Sequence, residues 1–110
     1  MTWDDVVSHA LALPGTESTT YYGWPAVKAN GHPIVTPGRE EGSFCLHIDQ
    51  DSKAILMETD PETFWQTPHY DGWPSVLVRY DSADAQRVLA IIECSHDWAM
   101  SRKPPRPRRT

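Results

Sequence analysis

Residues 26–36 have the sequence Ala-Val-Lys-Ala-Asn-Gly-His-Pro-Ile-Val-Thr, which predicts a β-hairpin. Strand-forming residues stand on both sides of Asn30-Gly31, and Asn-Gly is typical of tight two-residue turns because both turn positions require a positive φ. The two predicted strands, residues 26–29 and 33–36, leave slightly more than two residues between them. We therefore expect the turn to lie inside the paired region.

The segments on either side of this hairpin carry three further strand patterns. In the clearest of them, Phe44, Leu46 and Ile48 alternate with more polar residues, as in a strand with one buried face. The three predicted strands are residues 19–22, 43–49 and 76–80. Together with the hairpin they predict a sheet of about five strands.

Helical patterns flank and interrupt the strands. Thr2 can cap a first helix, with Asp5 three residues later in a weak capping box, and Pro14-Gly15 stops this helix. The other helices are predicted to begin at Asp51 or Ser52, at Asp60-Pro61, and at Asp81 or Ser82. These elements predict a two-layer α+β fold, in which terminal helices and short central helices cover one face of a mostly antiparallel sheet.

Length and composition narrow the class of protein. The chain has 110 residues and a net charge of −5, which suits one domain with a single core. No apolar run is long enough to span a membrane, and the first residues lack the pattern of a signal peptide. Cys45 and Cys94 cannot form a disulfide framework, so we expect free thiols in a reducing cytoplasm.

The charge is divided unevenly along the chain. Residues 102–110 hold five of the ten basic residues, and all fifteen acidic residues precede them, so the first 101 residues carry −10 and the last nine carry +5. We expect residues 1–101 to form the domain and residues 102–110, which contain three prolines, to form a flexible basic tail. Such a tail can contact phosphates of nucleic acid, solvate the end of the chain, or fold back onto the acidic body.

Two groups of side chains could form a binding surface. Lys28, His47 and Arg79 occupy polar positions of predicted strands, where they would form a cationic strip on an open face or, alternatively, be solvated and paired with acids. Tyr70 and Trp73 could stack on a base or hold a peptide, or they could close the end of the sheet.

The sequence contains no pattern typical of catalysis or metal binding. A phosphate-binding loop, a nucleophile elbow and a metalloprotease helix are all absent. Cys94 and His96 are two residues apart, which on a helix separates them by about 200° and prevents them from sharing one ion. We expect no catalytic residue, no metal and no cofactor.

Four blocks of the sequence resemble the MmcQ/YjbR family. They are residues 10–17 (ALALPGTE), residues 22–31 (YGWPAVKANG), residues 59–79 (TDPETFWQTPHYDGWPSVLVR) and the final helix. The resemblance covers roughly residues 2–103. It implies a small α/β fold likened to bacterial frataxin and to secretion chaperones. It also implies DNA binding through a double-wing arrangement of helices and hairpins.

The resemblance and the basic tail together favour a cytoplasmic, bacterial-type, non-enzymatic module that binds nucleic acid, with DNA as the expected ligand. The predicted contacts from the hairpin wing, the last strand and the tail are Lys28, Asn30, His32, Arg79, Arg102, Lys103, Arg106, Arg108 and Arg109. Stacking is predicted for Trp24, Tyr70 and Trp73. The alternative is a protein-interaction or chaperone-like adaptor with no role on nucleic acid. We expect no membrane partner and a monomer or weak dimer.

Overall fold

The structure, a computed structural model, describes residues 1–105 of the chain. The helices in this range are α1 (Trp3–Leu11), α2 (Gln50–Thr59) and α3 (Ala85–Ser101), with a short 3-10 turn at Pro68–Tyr70. The strands are β1 (Thr16–Tyr21), β2 (Trp24–Ala29), β3 (His32–Pro37), β4 (Ser43–His47), β5 (Phe64–Trp65) and β6 (Ser75–Arg79). Within residues 1–105, no helix combines the length and the apolar character needed to cross a bilayer.

The strands form one antiparallel sheet in the order β1-β2-β3-β4-β6-β5. The predicted hairpin consists of β2 and β3, and Ala29 pairs with His32 across the turn. Asn30 and Gly31 have φ values of 53° and 78°, so the turn lies inside the paired region, as predicted. The predicted α+β fold with terminal helices is confirmed, with six strands in residues 1–105 instead of about five.

The hydrophobic core lies between the helices and one face of the sheet. Helix α1 packs on β1, β2 and β3, helix α3 packs on β2, β3 and β4, and α2 packs on β5 and β6. Phe44 and Leu46 point into this core together with Ile92 of α3, and all three are fully buried. Each such side chain contributes about 1.5–3 kcal/mol through removal from water. Because side chains alternate along a strand, β4 presents Cys45 and His47 to the opposite face.

The helix predicted at Asp60-Pro61 is wrong, since this segment forms a turn and then a short strand. Asp60 ends α2, and Phe64 in β5 pairs with Val78 in β6. The Arg79 N–H also donates to the Thr63 carbonyl. An unpaired edge of β6 would leave backbone donors and acceptors without partners, so pairing at this edge and burial of Phe64 outweigh the local helix signal.

The starts of the helices are set by side chains that accept hydrogen bonds. Thr2 caps α1 and Asp5 completes the capping box, as predicted. The cap of α2 is Asp49 instead of Asp51 or Ser52, and the cap of α3 is Asp84 instead of Asp81 or Ser82.

Ser82 has a different role from the predicted cap. Its Oγ lies 3.0 Å from the Thr63 hydroxyl and accepts a hydrogen bond of 3.2 Å from the Asp84 N–H. Ser82 therefore stabilises the loop before α3, and the helix begins only when Asp84 becomes available as an acceptor for its first free N–H groups.

Candidate functional site

The Asn30-Gly31 turn contacts the end of α3. The Asn30 side-chain amide donates to the carbonyl oxygens of Ala99, at 3.2 Å, and of Arg102, at 2.6 Å. His32 Nε2 donates to the Lys103 carbonyl at 2.6 Å. The last carbonyls of a helix lack partners within the helix, so Asn30 caps α3, while His32 holds the residues just after it. Two of the predicted nucleic-acid contacts thus have partners inside the chain.

The beginning of the predicted tail folds back onto the same turn. A Cβ at Gly31 would come within 2.8 Å of the Pro105 ring, so the backbone of the turn and Pro105 are in close contact. The Arg102 guanidinium lies 4.2 Å from the centre of the Trp98 ring. Residues 102–105 therefore lie against the domain, but through Asn30, Gly31, His32 and Trp98 and not through acidic residues. Arg106, Arg108 and Arg109 lie outside the described residues.

The three members of the predicted cationic strip have different surroundings. Lys28 Nζ lies 5.5 Å from the Tyr21 ring centre, towards the β1 edge of the sheet. Burial, reinforced by the positive charge of Arg102, lowers the pKa of His47 to about 4, so its imidazole is neutral at pH 7. The prediction of three cooperating cations is therefore wrong.

Arg79, the third member, belongs to an acidic region at the opposite edge of the sheet. Its guanidinium lies 4.5 Å from the Trp65 ring centre. Arg79 also lines a recess of about 370 Å³, which we call the acidic recess, together with Asp60, Glu62, Asp81 and Asp84. Four carboxylates around one guanidinium disfavour the approach of a phosphate.

A larger cleft lies over the face of the sheet that the helices do not cover. It has a volume of about 570 Å³ and is lined by the β1–β2 turn, β3 and the loop after it, β4, the segment 69–75 and the end of α3. Six aromatic residues line it, namely Tyr21, Tyr22, Trp24, Tyr70, Trp73 and Trp98. We call this site the aromatic cleft.

The charges around the aromatic cleft differ from those of the chain as a whole. Among the residues that the structure describes, those lining the cleft include Arg39 and Arg102 but no aspartate and no glutamate. Three histidines, His32, His47 and His69, also line it. The cleft is therefore free of carboxylates, although the first 101 residues carry a net charge of −10.

The aromatic side chains of the cleft divide into exposed and packed groups. Tyr22, Trp24 and Trp73 are 80%, 62% and 64% exposed and are free to contact a ligand. Tyr70 is buried against Cys45, and its hydroxyl accepts a hydrogen bond of 3.4 Å from the Arg39 N–H. In the segment 68–74, Tyr70 thus closes the sheet and Trp73 is available for stacking.

A buried lysine holds the segment that carries Trp73. Lys53 Nζ donates to the carbonyl oxygens of Tyr70 and Trp73, both at 2.8 Å. Gln50 adds a hydrogen bond of 2.6 Å to the Gly72 carbonyl. Burial lowers the pKa of Lys53, and the two carbonyls replace the water that its ammonium group has lost. One wall of the aromatic cleft is therefore fixed from behind by α2.

Four small polar or imidazole side chains form the base of the cleft, and we call them the polar floor. They are Thr36, Cys45, His47 and Ser75, from the adjacent strands β3, β4 and β6. His47 Nε2 lies 3.4 Å from Thr36 Oγ1 and 3.9 Å from Cys45 Sγ. The Tyr21 ring meets the His47 ring edge-on, with 6.0 Å between their centres, and so encloses the floor from the side.

Reasoning from sequence missed several residues of this site, including Arg39, Tyr22 and Trp98. A signal for the polar floor was present, because alternation along residues 43–49 places Cys45 and His47 on the same face. No sequence pattern indicates that Trp98, near the end of the last helix, meets residues of the first hairpin.

The fold and the cleft define a small α+β protein with a concave aromatic surface on one side of a single sheet. A model of the YjbR family matches residues 11–98, and the chain therefore belongs to the YjbR family, as its sequence resemblance predicted. It is similar to the uncharacterized protein Rv2570 of Mycobacterium tuberculosis and the uncharacterized protein Mb2600 of Mycobacterium bovis. Each is 27% identical over 114 residues, which cover 90% of this chain and 87% of the relative.

Proposed function

We propose that this protein is a non-enzymatic module that binds single-stranded nucleic acid, with unpaired bases in the aromatic cleft and phosphates near Arg39 and Arg102. The observation that supports this proposal is that, within residues 1–105, no carboxylate lines the cleft, although this part of the chain is strongly acidic overall. Bases require planar apolar surfaces and phosphates require cations, and this cleft offers both.

The electrostatic contrast is large enough to determine where a polyanion can bind. One carboxylate at about 6 Å from a phosphate costs about 3 kcal/mol at an effective dielectric constant of about 20. The acidic recess would impose several such repulsions, whereas the aromatic cleft imposes none from its own lining. The cleft therefore suits a phosphate better than the acidic recess does.

Exposed aromatic rings provide the second source of affinity. Stacking of a base on an aromatic side chain contributes about 1–3 kcal/mol per base. Trp24 and Trp73 present most of their surface to solvent at the cleft, and Arg102 on Trp98 adds a cation at its rim.

The same geometry favours a single strand over a duplex. Bases in a duplex are stacked on each other and cannot reach aromatic side chains in a recessed cleft. In addition, Asn30 and His32 of the hairpin hold the end of α3, so a hairpin wing would have to give up these contacts to bind DNA.

A protein-interaction role is the second candidate, and the exposure of Tyr22, Trp24 and Trp73 favours it. The same absence of carboxylates would then select an acidic peptide. A pull-down after nuclease treatment separates the two functions, because an adaptor keeps its protein partner when all nucleic acid has been removed.

Titration of the full chain with fluorescein-labelled oligothymidine, duplex DNA and RNA at two ionic strengths tests the proposal. We expect the single strands to bind more tightly than the duplex and to lose affinity as salt is added. Replacing Arg102 by glutamine should lower the salt slope by about 1, as expected for the loss of one phosphate contact. Arg79→Gln, which removes the same charge outside the cleft, is the matched control. Absence of single-strand binding at low salt would overturn the proposal.

A further inference from the structure

The polar floor has a chemistry that stacking and phosphate binding do not use. Thr36 and Cys45 are cross-strand partners, and so are His47 and Ser75, so that the four side chains form a compact group on one face. Thr36, Cys45 and Ser75 are only 8%, 4% and 7% exposed, and the group lies at the centre of the sheet beneath the aromatic walls.

The polar floor is uncharged at neutral pH. His47 is neutral, so one of its ring nitrogens is a donor and the other is an acceptor. Burial raises the pKa of the Cys45 thiol more than its hydrogen bonds to Thr36 and Ser75 lower it, so Cys45 stays protonated. The two hydroxyl groups can each donate and accept. Such a surface suits a neutral ligand edge that carries both donors and acceptors.

The contacts within the polar floor leave hydrogen-bonding capacity for a ligand. The distance of 3.4 Å between His47 Nε2 and Thr36 Oγ1 exceeds the usual 2.7–3.2 Å of N–H and oxygen pairs. Burying such groups without a partner would cost about 1–3 kcal/mol each, so a ligand that offers them shorter hydrogen bonds gains affinity over one that does not. The cleft volume of about 570 Å³ also lies within the usual range for sites of one small ligand.

We propose that the polar floor reads the edge of one unstacked nucleobase that enters the cleft between its aromatic walls. The inference rests on the proposed function and adds that one position of the bound strand is recognised by its base. Thr36, His47 and Ser75 act as specificity-determining residues through hydrogen bonds to the base edge. Arg39 and Arg102 contact the backbone and contribute equally for every base.

A series of oligonucleotides that are abasic except for one central nucleotide isolates base reading from backbone binding. With the full chain, we expect at least one of the four bases to bind about tenfold more tightly than the fully abasic strand, and the four bases to differ among themselves. Equal binding of all four bases and the abasic strand would overturn the inference and leave the proposed function intact. If no strand binds in any form, the proposed function fails first.

Two near-isosteric substitutions test whether the polar floor determines the preference among bases. In a Thr36→Val/Ser75→Ala variant, the preference among bases should fall to less than about threefold, while affinity for the abasic strand stays unchanged. Thr20→Val, a change of the same type at an exposed strand position outside the cleft, is the control and should keep the preference. An unchanged preference in the folded double variant would overturn the assignment.

A measurement on the unmodified chain covers the case in which the double variant does not fold. The ring nitrogen resonances of His47 should shift when the preferred nucleoside monophosphate is added, because a new hydrogen bond changes the imidazole. They should stay in place when ribose 5-phosphate is added. Shifts that are identical for both compounds would contradict base reading at the floor.

Discussion

Two arginine–tryptophan pairs on this protein have nearly the same geometry but opposite electrostatic surroundings. Arg102 lies 4.2 Å from the Trp98 ring centre at the aromatic cleft, and Arg79 lies 4.5 Å from the Trp65 ring centre at the acidic recess. No carboxylate lines the described part of the first site, whereas four acidic residues line the second. The comparison predicts that the neighbours of a cation, more than the net charge of the chain, determine whether that cation can receive a phosphate.

The largest expected effect comes from reversing the charges at the cleft. An Arg39→Glu/Arg102→Glu variant should lose single-strand affinity by about 100-fold or more, because two attractions become two repulsions. The variant Arg79→Glu/Arg87→Glu changes the net charge equally at residues outside the cleft, and its affinity should fall by less than about threefold. Anisotropy titration of both variants makes this comparison, and equal losses would show that only net charge matters.

Removing the support behind the cleft wall should affect both stability and binding. In Lys53→Met, the carbonyls of Tyr70 and Trp73 lose their shared donor, which should lower the free energy of unfolding by about 2–4 kcal/mol. Lys28→Met removes a lysine of the sheet whose ammonium group lies over the Tyr21 ring, and it should change the free energy of unfolding by less than about 1 kcal/mol. Urea unfolding measures both. Similar stabilities of the two variants would show that Lys53 does not hold the wall.

The half-buried histidine of the polar floor should make the stability depend on pH. His47 has a pKa of about 4 in the folded protein, below its ordinary value of 6.5, so the unfolded chain binds more protons between these values. The stability is therefore complete above pH 6.5 and falls as the pH decreases towards 4, by up to about 3 kcal/mol. Urea unfolding at a series of pH values should show this fall in the natural protein and a flatter profile in His47→Gln. The same slope in both proteins would contradict the burial of a neutral His47.

The smallest effect concerns individual stacking residues. Trp24→Ala should weaken single-strand binding by about tenfold, through the loss of one base stack. Ile55→Ala removes another exposed apolar side chain, 59% exposed on α2, and should leave affinity unchanged. If both variants bind like the natural protein, the aromatic wall does not contact bases.

Local signals in the sequence predicted most of the fold but little of the site. Asn30-Gly31 and the alternation of Phe44, Leu46 and Ile48 act over a few residues, so the hairpin and β4 followed from the sequence. Asp60-Pro61 resembles a helix start, yet this segment leads into β5, which pairs with the edge of β6. The sequence does not show which strand of the sheet will need such a partner.

The aromatic cleft could not be predicted because it joins parts of the chain that are distant in sequence. The rings of Tyr21 and His47 meet although 25 residues separate them, and Trp98 comes from the last helix. Residue type alone also gave no sign that Asn30 binds the Ala99 carbonyl and His32 the Lys103 carbonyl. These contacts depend on the register of the strands and on where α3 ends, and neither can be read from amino-acid composition or from the spacing of residues.

The five tryptophan indole N–H resonances offer the most direct test of where the ligand binds, because some tryptophans line the aromatic cleft and others do not. In a nitrogen–proton correlation spectrum recorded during titration with a short oligothymidine, the resonances of Trp24, Trp73 and Trp98 should shift. That of Trp3 on α1, which packs on the opposite face of the sheet, should remain in place. Shifts confined to Trp3, or no shifts at saturating oligonucleotide, would contradict binding at the aromatic cleft.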